Sequence, residues 1–319
     1  MTATRGPWLA PELATLTKAR FSDPGWMYER KFDGERCLTY RTGRKVSLMT
    51  RNQIDVSATY PELREALAGQ TSADFVVDGE IVAFDGDATS FGKLQQRLGV
   101  RDPNAELVRR VPVVYYLFDL LVVGGRDIRS LPLGERKPLL RELMPFDDPV
   151  RFTEHRDGNG EPFWEEACKQ GWEGLIAKRA ASPYLAGRTK DWLKFKCLSS
   201  QEFVIGGYTD PKGSRTGLGA LVIGYYDDDG RLISAGKVGT GFNASTLASL
   251  SALLRQREVD RSPFQAGPVP RSGVHWVKPE LVAQIGFSEW TTAGQLRHPR
   301  YEGLRQDKDP ASVVREVPE

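Results

Sequence analysis

The pattern of apolar and polar positions along the chain predicts two domains of different kinds. Between residues 26 and 196, β-branched and aromatic runs alternate with short amphipathic segments, which is typical of a mixed α+β domain. An apolar run at 113–123, directly after Pro112, predicts a buried central strand. After residue 200 the pattern changes to short strands separated by Gly and Asp turns, which predicts a small β-domain.

Local signals place the elements of the first domain. Residues 74–84 are predicted to form either a strand pair or one long strand interrupted at Gly79. A proline suited to the first turn supports a helix over 61–68, and Ser90 is suited to cap a helix over 91–98. These elements predict a sheet-based scaffold around a cleft.

The second domain is predicted to be a small Greek-key barrel of the OB type. One amphipathic helix over 244–257, with Asn243 as its N-cap, interrupts the strands, and the Pro- and Gly-rich stretch 261–273 is predicted to be a loop. About five strands and one helix fit such a barrel. We therefore expect a first domain at 1–200 and a second at 201–319. Three of the predicted strands lie at 202–209, 219–226 and 231–238.

Composition and charge are those of an ordinary globular protein. The chain has 319 residues, 40% hydrophobic and 27% charged, and it contains no apolar run of the roughly 20 residues that span a bilayer. The N-terminal segment shows no signal-peptide pattern, so we expect a cytoplasmic protein without membrane association. The formal net charge is only +2, so a polyanionic partner must bind to local patches. Residues 187–196 form such a patch, with four cations against one acid.

Cysteine and histidine are too sparse for several common kinds of active site. Cys37, Cys168 and Cys197 are far apart in the sequence, which predicts buried thiols and neither a disulfide framework nor a zinc site. The three histidines are also unclustered, which argues against metal or triad chemistry based on histidine. The chemistry must therefore use lysine, arginine and carboxylates.

Five short segments carry candidate chemistry. Residues 29–36 contain the pattern K-x-D-G-x-R, which by itself also fits a strand with exposed charges followed by a turn. Four further segments follow it in order, and together they make a chance match improbable. They are Val77-Asp78-Gly79-Glu80-Ile81, Leu117-Phe118-Asp119, Glu173-Gly174-Leu175-Ile176-Ala177-Lys178 and Trp192-Leu193-Lys194-Phe195-Lys196.

Together these segments resemble the nucleotidyltransferase motifs of the superfamily of ATP-dependent DNA ligases, RNA ligases and mRNA capping enzymes. The resemblance covers nearly the whole chain and is nearest to the compact bacterial DNA ligases of end joining. It implies a nucleotidyltransferase domain with an ATP-grasp-like mixed sheet, followed by an OB-fold domain. Only 30 residues precede Lys31, so the additional N-terminal DNA-binding domain of larger ligases is not expected.

The resemblance assigns the covalent chemistry to Lys31, which would attack the α-phosphate of ATP and form a lysyl-AMP phosphoramidate. A free lysine has a pKa of about 10.4 and is protonated at neutral pH. The catalytic residues Lys194 and Lys196, together with a metal ion, would lower that pKa and neutralise the charge on the phosphate. The metal, Mg²⁺ or Mn²⁺, would be held by Asp33, Glu80 and Glu173, with ribose as the alternative partner of Glu80.

The resemblance also assigns the residues that bind ATP. Phe118 would stack on adenine while Ile176 covers the opposite face, with plain core packing as the alternative for Phe118. Glu29 would contact the adenine amino group, and Arg36 would contact the ribose or the phosphate of a nick. Arg51 would bind phosphate from a T-R-N-Q segment where the family has S-R-N-G. The same site would include Lys31, Glu80, Lys194 and Lys196, and a C-terminal motif would reach the β- and γ-phosphates through Arg305, Asp307 and Lys308.

The expected function is therefore ATP-dependent ligation of DNA, in repair by end joining. AMP would pass from Lys31 to a 5′-phosphate, and a 3′-hydroxyl would then displace the AMP. The expected partners are nicked or broken duplex DNA, with end-bridging and polymerase proteins, and we expect a monomer in the cytoplasm associated with the nucleoid. The alternatives are an RNA ligase, a capping-type guanylyltransferase and a non-catalytic nucleic-acid-binding protein that keeps the fold.

Overall fold

The computed structural model describes residues 8–197, 199–211, 217–306 and 308–316. The chain divides after Cys197 into two compact units, and the second unit continues to Glu316. Each unit buries apolar clusters of its own, so each has the means to fold around a separate core. Within the described ranges, no helix is long and apolar enough to cross a membrane.

The first unit contains two β-sheets and the helices that cover them. Its strands are β1 (Glu12–Leu16), β2 (Trp26–Arg30), β3 (Glu35–Thr42), β4 (Lys45–Thr50), β5 (Phe75–Asp85), β6 (Ala88–Thr89), β7 (Val113–Val123), β8 (Arg126–Asp127), β9 (Val150–Phe152), β10 (His155–Asp157), β11 (Gly174–Arg179) and β12 (Gly187–Lys196). Its helices are α1 (Pro61–Gly69), α2 (Phe91–Leu94), α3 (Ala105–Arg110), α4 (Leu133–Leu143) and α5 (Gly160–Lys169).

The two sheets of this unit are both mixed. The larger sheet has the strand order β4-β3-β5-β7-β8, with β6 paired to β5 and β9 paired to β7. The smaller sheet has the order β1-β12-β11-β2-β10. The pairs β1–β12 and β7–β9 are parallel, whereas the other neighbours are antiparallel. This is the mixed α+β architecture that the sequence predicts.

Each sheet buries one face beneath helices and turns its other face toward the second sheet. On the helix side of the larger sheet, Val77 and Leu117 pack with Leu63 of α1. On the helix side of the smaller sheet, Tyr28 packs with Phe163 of α5. A third cluster lies between the sheets, where Leu38, Val76 and Phe118 of the larger sheet meet Trp192 of the smaller one. The space between the sheets is the predicted cleft.

Several predicted elements are confirmed, and others are corrected. The apolar run after Pro112 forms β7, as predicted. The predicted range 74–84 corresponds to the single strand β5 (Phe75–Asp85). Gly79 lets β7 approach, because a Cβ there would lie 2.5 Å from the Tyr116 carbonyl oxygen. Helix α2 ends at Leu94 instead of continuing to residue 98, because the following backbone bonds span only three residues, as from Arg97 N to Leu94 O.

The second unit is built on one strongly curled sheet. The order is β15-β14-β13-β17-β16, with β20 also paired to β17. Thr240, just beyond β15, forms a bridge to Arg300 of β20, which brings the two sides of the sheet together. The side chain of Asn243 caps α6 by accepting a hydrogen bond from Thr246 N, as the sequence predicts. The elements are β13 (Ser199–Thr209), β14 (Leu221–Tyr226), β15 (Leu232–Val238), α6 (Ala244–Arg255), β16 (Glu258–Val259), β17 (Val274–Phe287), β18 (Glu289–Trp290), β19 (Leu296–Arg297), β20 (Arg300–Leu304) and a 3₁₀ turn (Pro310–Ser312).

The cysteines differ from the prediction of three buried thiols. Cys168, in the last turn of α5, forms a disulfide with Cys197, which follows β12. Their Cα atoms are 5.3 Å apart although 29 positions separate them in the sequence. The sequence could not show this pair, because the packing of α5 on the smaller sheet creates it. Cys37 alone is a buried free thiol, as predicted.

Candidate active site

Strand alternation places residues from three distant motifs on one face of the smaller sheet. Ile176 of β11 lies directly beside Glu29 of β2 on one side and Lys194 of β12 on the other. Their chain neighbours Tyr28, Ala177 and Phe195 point to the opposite face and pack against α5. Lys196 pairs with Gly174 and therefore lies on the same inner face as Lys194. The predicted Glu29, Ile176, Lys194 and Lys196 are thus brought together.

Lys31 follows β2 and is surrounded by acids. Its Nζ contacts the Glu173 carboxylate, and its side chain is only 18% exposed. Burial by itself lowers the pKa of Lys31, but the charges of Glu173, Asp33 and Glu80 outweigh burial and raise it. The prediction that neighbouring cations lower this pKa is therefore wrong for this structure. The four predicted residues Lys31, Asp33, Glu80 and Glu173 do share one region of the cleft.

Two glycines make this arrangement possible. A Cβ at Gly34 would lie 2.2 Å from the carbonyl oxygen of Ile81, so the loop carrying Asp33 packs directly on β5. Gly174 has a φ of 145°, and a Cβ there would lie 2.0 Å from the carbonyl oxygen of Phe195. The glycines of two motifs are therefore required by close backbone contacts beside Lys31 and Glu173.

The three acids are suited to a hard cation but are not assembled as a set of ligands. Carboxylate oxygens are the protein donors that Mg²⁺ prefers, and this ion keeps several waters and needs few of them. Glu173 is in contact with Lys31, and Glu80 stands on β5 across from Arg36 and Tyr116. Among the described residues, no three His, Cys, Asp or Glu side chains are grouped closely enough to hold a metal ion by themselves.

Glu29 lies in a buried charge cluster that the sequence did not predict. It is 2% exposed and contacts Lys137 of α4 at 2.5 Å and Lys178 of β11 at 2.7 Å. Burial alone raises the pKa of Glu29, but the two ammonium groups lower it further than burial raises it. Two cations share one carboxylate, so burial and the charge of Lys137 lower the pKa of Lys178 to about 8 although Glu29 opposes them.

No signal in the sequence identified Lys137. Lys178 is the last residue of the motif at 173–178, whereas Lys137 belongs to α4, which contains none of the five motifs. Its neighbour Arg136 is fully buried and forms a two-bond ion pair with Asp119 of β7, both bonds at 2.8 Å. This pair fixes α4 against the larger sheet, and Lys137 then reaches across to Glu29.

Phe118 lies inside the cleft between two cations. The ring is 7% exposed and packs edge-on against Trp192. The Nζ of Lys178 lies 4.1 Å from the ring centroid, and the guanidinium of Arg36 lies 4.5 Å from it. Arg36 is itself held by two bonds of 2.6 Å to the buried Asp78. The predicted base-binding residue and the predicted ribose-binding residue are therefore in direct contact.

Arg51 lies in a tight turn after β4. Gln53 N donates to Thr50 O, and Ile54 N donates to the Thr50 side chain. Gln53 has a φ of 64°, the left-handed conformation that glycine favours. Gln53 therefore adopts the backbone conformation suited to the glycine found here in the family pattern, and Thr50 supplies a hydroxyl as serine would.

The predicted C-terminal residues belong to the second unit. Arg305 directly follows β20 and donates its backbone N–H to Val282 O at 2.7 Å. Lys308 forms an ion pair of 3.0 Å with Glu202 of β13. The predicted Asp307 lies outside the described residues.

A buried lysine amine, surrounding carboxylates and an aromatic ring in a cleft between two mixed sheets define the nucleotidyltransferase class. Residues 7–196 match the family described as "ATP dependent DNA ligase domain", and residues 214–308 match the family described as "ATP dependent DNA ligase C terminal region". The chain belongs to the ATP-dependent DNA ligase family. Membership implies ATP as the nucleotide and confirms the resemblance seen in the motifs.

Two curated relatives are larger proteins of end joining. The chain is 38% identical over 318 residues to the "Multifunctional non-homologous end joining protein LigD" of Pseudomonas aeruginosa, a match that covers 98% of this chain and 37% of that protein. It is 38% identical over 315 residues to the corresponding LigD protein of Mycobacterium tuberculosis, covering 97% and 40%. The chain therefore spans about two fifths of the length of these relatives.

A solved structure shares the fold throughout. It is described as mycobacterial DNA ligase D complexed with ATP and MES, and it is 36% identical to this chain with a TM-score of 0.70. The match covers 97% of this chain and 98% of that one. The predicted fold, a nucleotidyltransferase domain followed by an OB-fold domain, is confirmed.

Proposed function

We propose that this chain seals breaks in duplex DNA through a lysyl-AMP intermediate formed on Lys31. The observation that carries the proposal is the position of the Lys31 amine, which is buried in the cleft against Glu173 and close to Asp33 and Glu80. A buried amine in a nucleotide-binding cleft is suited to nucleophilic catalysis. A protein that only binds nucleic acid has no need for this arrangement.

Each step can be written in terms of the residues of the cleft. Lys31 Nζ attacks the α-phosphorus of ATP, the bond to the β-phosphate oxygen breaks, and pyrophosphate leaves. The acids raise the pKa of Lys31, and an ammonium nitrogen has no lone pair, so Lys31 must lose a proton before it attacks. Glu173, in contact with Nζ, is in position to accept that proton. A DNA 5′-phosphate then attacks the AMP phosphorus and releases Lys31. The 3′-hydroxyl next attacks that 5′-phosphate, forms the phosphodiester bond and releases AMP.

The remaining predicted residues have supporting roles in this proposal. Lys194 and Lys196, on the inner face beside Glu29 and Ile176, would neutralise negative charge on the phosphates. Phe118 and Ile176 would hold adenine, Glu29 would accept a hydrogen bond from its amino group, and Arg36 would contact ribose. Arg51 would bind phosphate, and Arg305, Asp307 and Lys308 would contribute to the first step only. Asp33, Glu80 and Glu173 would hold Mg²⁺ or Mn²⁺, which would supply positive charge at the phosphates.

The biological setting is proposed from the relatives. Their names describe end joining, so we propose broken duplex DNA as the substrate and end-bridging and polymerase proteins as partners. We propose a monomer that acts in the cytoplasm at the nucleoid.

The test is transfer of label from ATP carrying ³²P at the α-phosphate. We expect a covalent band on denaturing gels for the wild type, no band for Lys31→Ala, and a normal band for Lys45→Ala, which removes an exposed lysine at the start of β4. Chasing the labelled protein with nicked duplex should move the label to the DNA 5′-phosphate and then to free AMP. A wild-type protein that binds nicked DNA but never becomes labelled would refute the proposal.

Two further experiments distinguish a DNA ligase from a capping-type guanylyltransferase and from an RNA ligase. Labelled GTP should give no band, whereas a capping-type enzyme would use it. Matched nicks in DNA and RNA duplexes should show preference for DNA, and preferred sealing of RNA would assign the chain to RNA ligation.

A further inference from the structure

We propose that Arg30 binds a backbone phosphate of the DNA strand that Lys31 acts on. This inference rests on the proposed ligase function and adds to it a DNA contact that no motif assigns. Arg30 is the last residue of β2 and directly precedes Lys31, so the two Cα atoms are about 3.8 Å apart.

Arg30 is held between aromatic rings. Its guanidinium carbon lies 4.4 Å from the ring centroid of Trp172, 5.3 Å from that of Phe32 and 5.8 Å from that of Phe84. Phe32 in turn stacks on Tyr116 at 4.2 Å. Contacts with ring faces fix a guanidinium without using its hydrogen-bond donors.

The rings of Trp172, Phe32 and Phe84, with Tyr116 stacked on Phe32, form an aromatic cage around Arg30. This aromatic cage joins the two sheets at the edge of the cleft. Trp172 immediately precedes Glu173 and β11 of the smaller sheet, whereas Phe84 and Tyr116 belong to β5 and β7 of the larger one. Tyr116 lies directly across from Glu80, one of the acids near Lys31. The cage therefore lies next to the acidic region around Lys31.

Within the part of the chain that the structure describes, the charge of Arg30 has no acidic partner. None of the described residues accepts a hydrogen bond from its side chain. Its Nε and Nη2 are buried without a partner, which leaves Nη1 as the donor that an anion can reach from outside. A buried guanidinium carries a desolvation cost that an anion would offset. A DNA strand approaching Lys31 must also come close to Glu173, Asp33 and Glu80, and a cation at this edge would reduce the repulsion. A phosphate is the anion that matches planar guanidinium donors and is present in every DNA strand.

Arg156 provides a matched control. Its guanidinium carbon also lies over an aromatic ring, 4.0 Å from the centroid of Phe163. It differs in having a carboxylate partner, because it makes two bonds of 2.6 and 3.0 Å to Glu166. Replacing either arginine removes one positive charge from a ring-stacked position, but of the two only Arg30 lacks a carboxylate partner among the described residues.

The experiment compares Arg30→Met with Arg156→Met in binding to nicked duplex over a range of salt concentrations. For Arg30→Met we expect binding weakened roughly tenfold and a log–log salt slope smaller by about 0.9, the loss of one phosphate contact. Arg156→Met should keep the wild-type slope. Self-adenylation is measured in parallel, and the loss in DNA binding for Arg30→Met should exceed the loss in self-adenylation by at least about fivefold.

An unchanged salt slope for a folded Arg30→Met would overturn this inference while leaving the ligase proposal intact. Failure of the wild type to label itself would instead refute the ligase proposal. If Arg30→Met does not fold, NMR of the wild-type protein with labelled arginine decides. Nicked duplex should shift the Nε–H signal of Arg30, assigned with Arg30→Lys, and leave that of Arg156 in place; an unshifted Arg30 signal refutes the contact.

Discussion

At the scale of single residues, the most informative feature is the sharing of one buried carboxylate by two buried ammonium groups. Glu29 compensates one positive charge, and Asp119, the other acid whose charge acts on Lys178, forms an ion pair with Arg136. Keeping both lysines protonated is therefore unfavourable, and the pKa of Lys178 falls to about 8 mainly because of burial. The cluster has measurable consequences for stability.

The first prediction concerns pH. Between pH 8 and 10.5 the unfolded state holds a proton on Lys178 more often than the folded state does, so the contribution of this residue to the unfolding free energy rises with pH. From pH 7 to pH 9.5, the unfolding free energy of the wild type should therefore rise by about 2 kcal/mol relative to that of Lys178→Met. Urea unfolding at both pH values measures this. Parallel pH profiles of the two proteins would contradict it.

The second prediction compares the loss of the shared carboxylate, Glu29, with the loss of one of its two lysines, Lys137. Glu29→Gln leaves two buried ammonium groups without a carboxylate and should cost about 3–5 kcal/mol of unfolding free energy. Lys137→Met leaves Glu29 paired with Lys178 and fills the space with an apolar chain, so it should cost about 2 kcal/mol or less. Urea unfolding at pH 7 gives both values. An equal or larger loss for Lys137→Met would contradict the argument that one carboxylate compensates only one of the two ammonium groups.

At the scale of elements, the alternation of strand residues determines which side chains meet in the cleft. In β11, Leu175 and Ala177 enter the core against α5, whereas Ile176 and Lys178 face the larger sheet. A shift of one residue in the pairing would exchange these two sets. The disulfide between α5 and the end of β12 restrains this packing, close to Lys196.

The third prediction concerns that disulfide. Because it closes a loop with a sequence separation of 29, its removal in Cys168→Ser should lower the unfolding free energy by about 3 kcal/mol. Reduction of the wild type with dithiothreitol should produce a similar loss, and the same treatment should leave Cys168→Ser unchanged. Thiol titration of the denatured, unreduced wild type should find only Cys37, and three reactive thiols would refute the bond.

At the scale of the whole molecule, two separate cores imply two folding units. Leu117 and Tyr115 belong to a core of the first unit, whereas Phe203 and Ile285 belong to that of the second. Contacts divide the chain after Cys197. The sequence alone predicts a boundary near residue 200.

The fourth prediction tests this boundary. Fragments 1–197 and 198–319 should each unfold cooperatively when expressed alone, because each contains the apolar residues of its own core. Thermal unfolding followed by circular dichroism measures this, and fragments ending at residue 180 or beginning at 220 serve as controls. The first control removes β12 and the second removes β13, so both should lose the transition.

Much of the site could be predicted because its residues stand in short segments. The order of the motifs and their resemblance to a family predict one region for Lys31, Asp33, Glu80 and Glu173, and in the structure these residues lie together. The sequence predicts the wrong sign for the effect of neighbouring side chains on the pKa of Lys31, because a sequence does not show that acids lie nearer to the amine than cations do.

The sequence by itself determined which residues form strands and which face of each strand is apolar, since both depend on the order of neighbouring residues. It also supplied glycine at positions 34 and 174, but only the packing of the strands brings Ile81 and Phe195 so close that no side chain fits there. Only the tertiary structure decided which charges and thiols pair, as for Glu29 with Lys137 and Cys168 with Cys197. Such pairing depends on distances between positions far apart in the chain, and these distances arise only when the sheets and helices pack together.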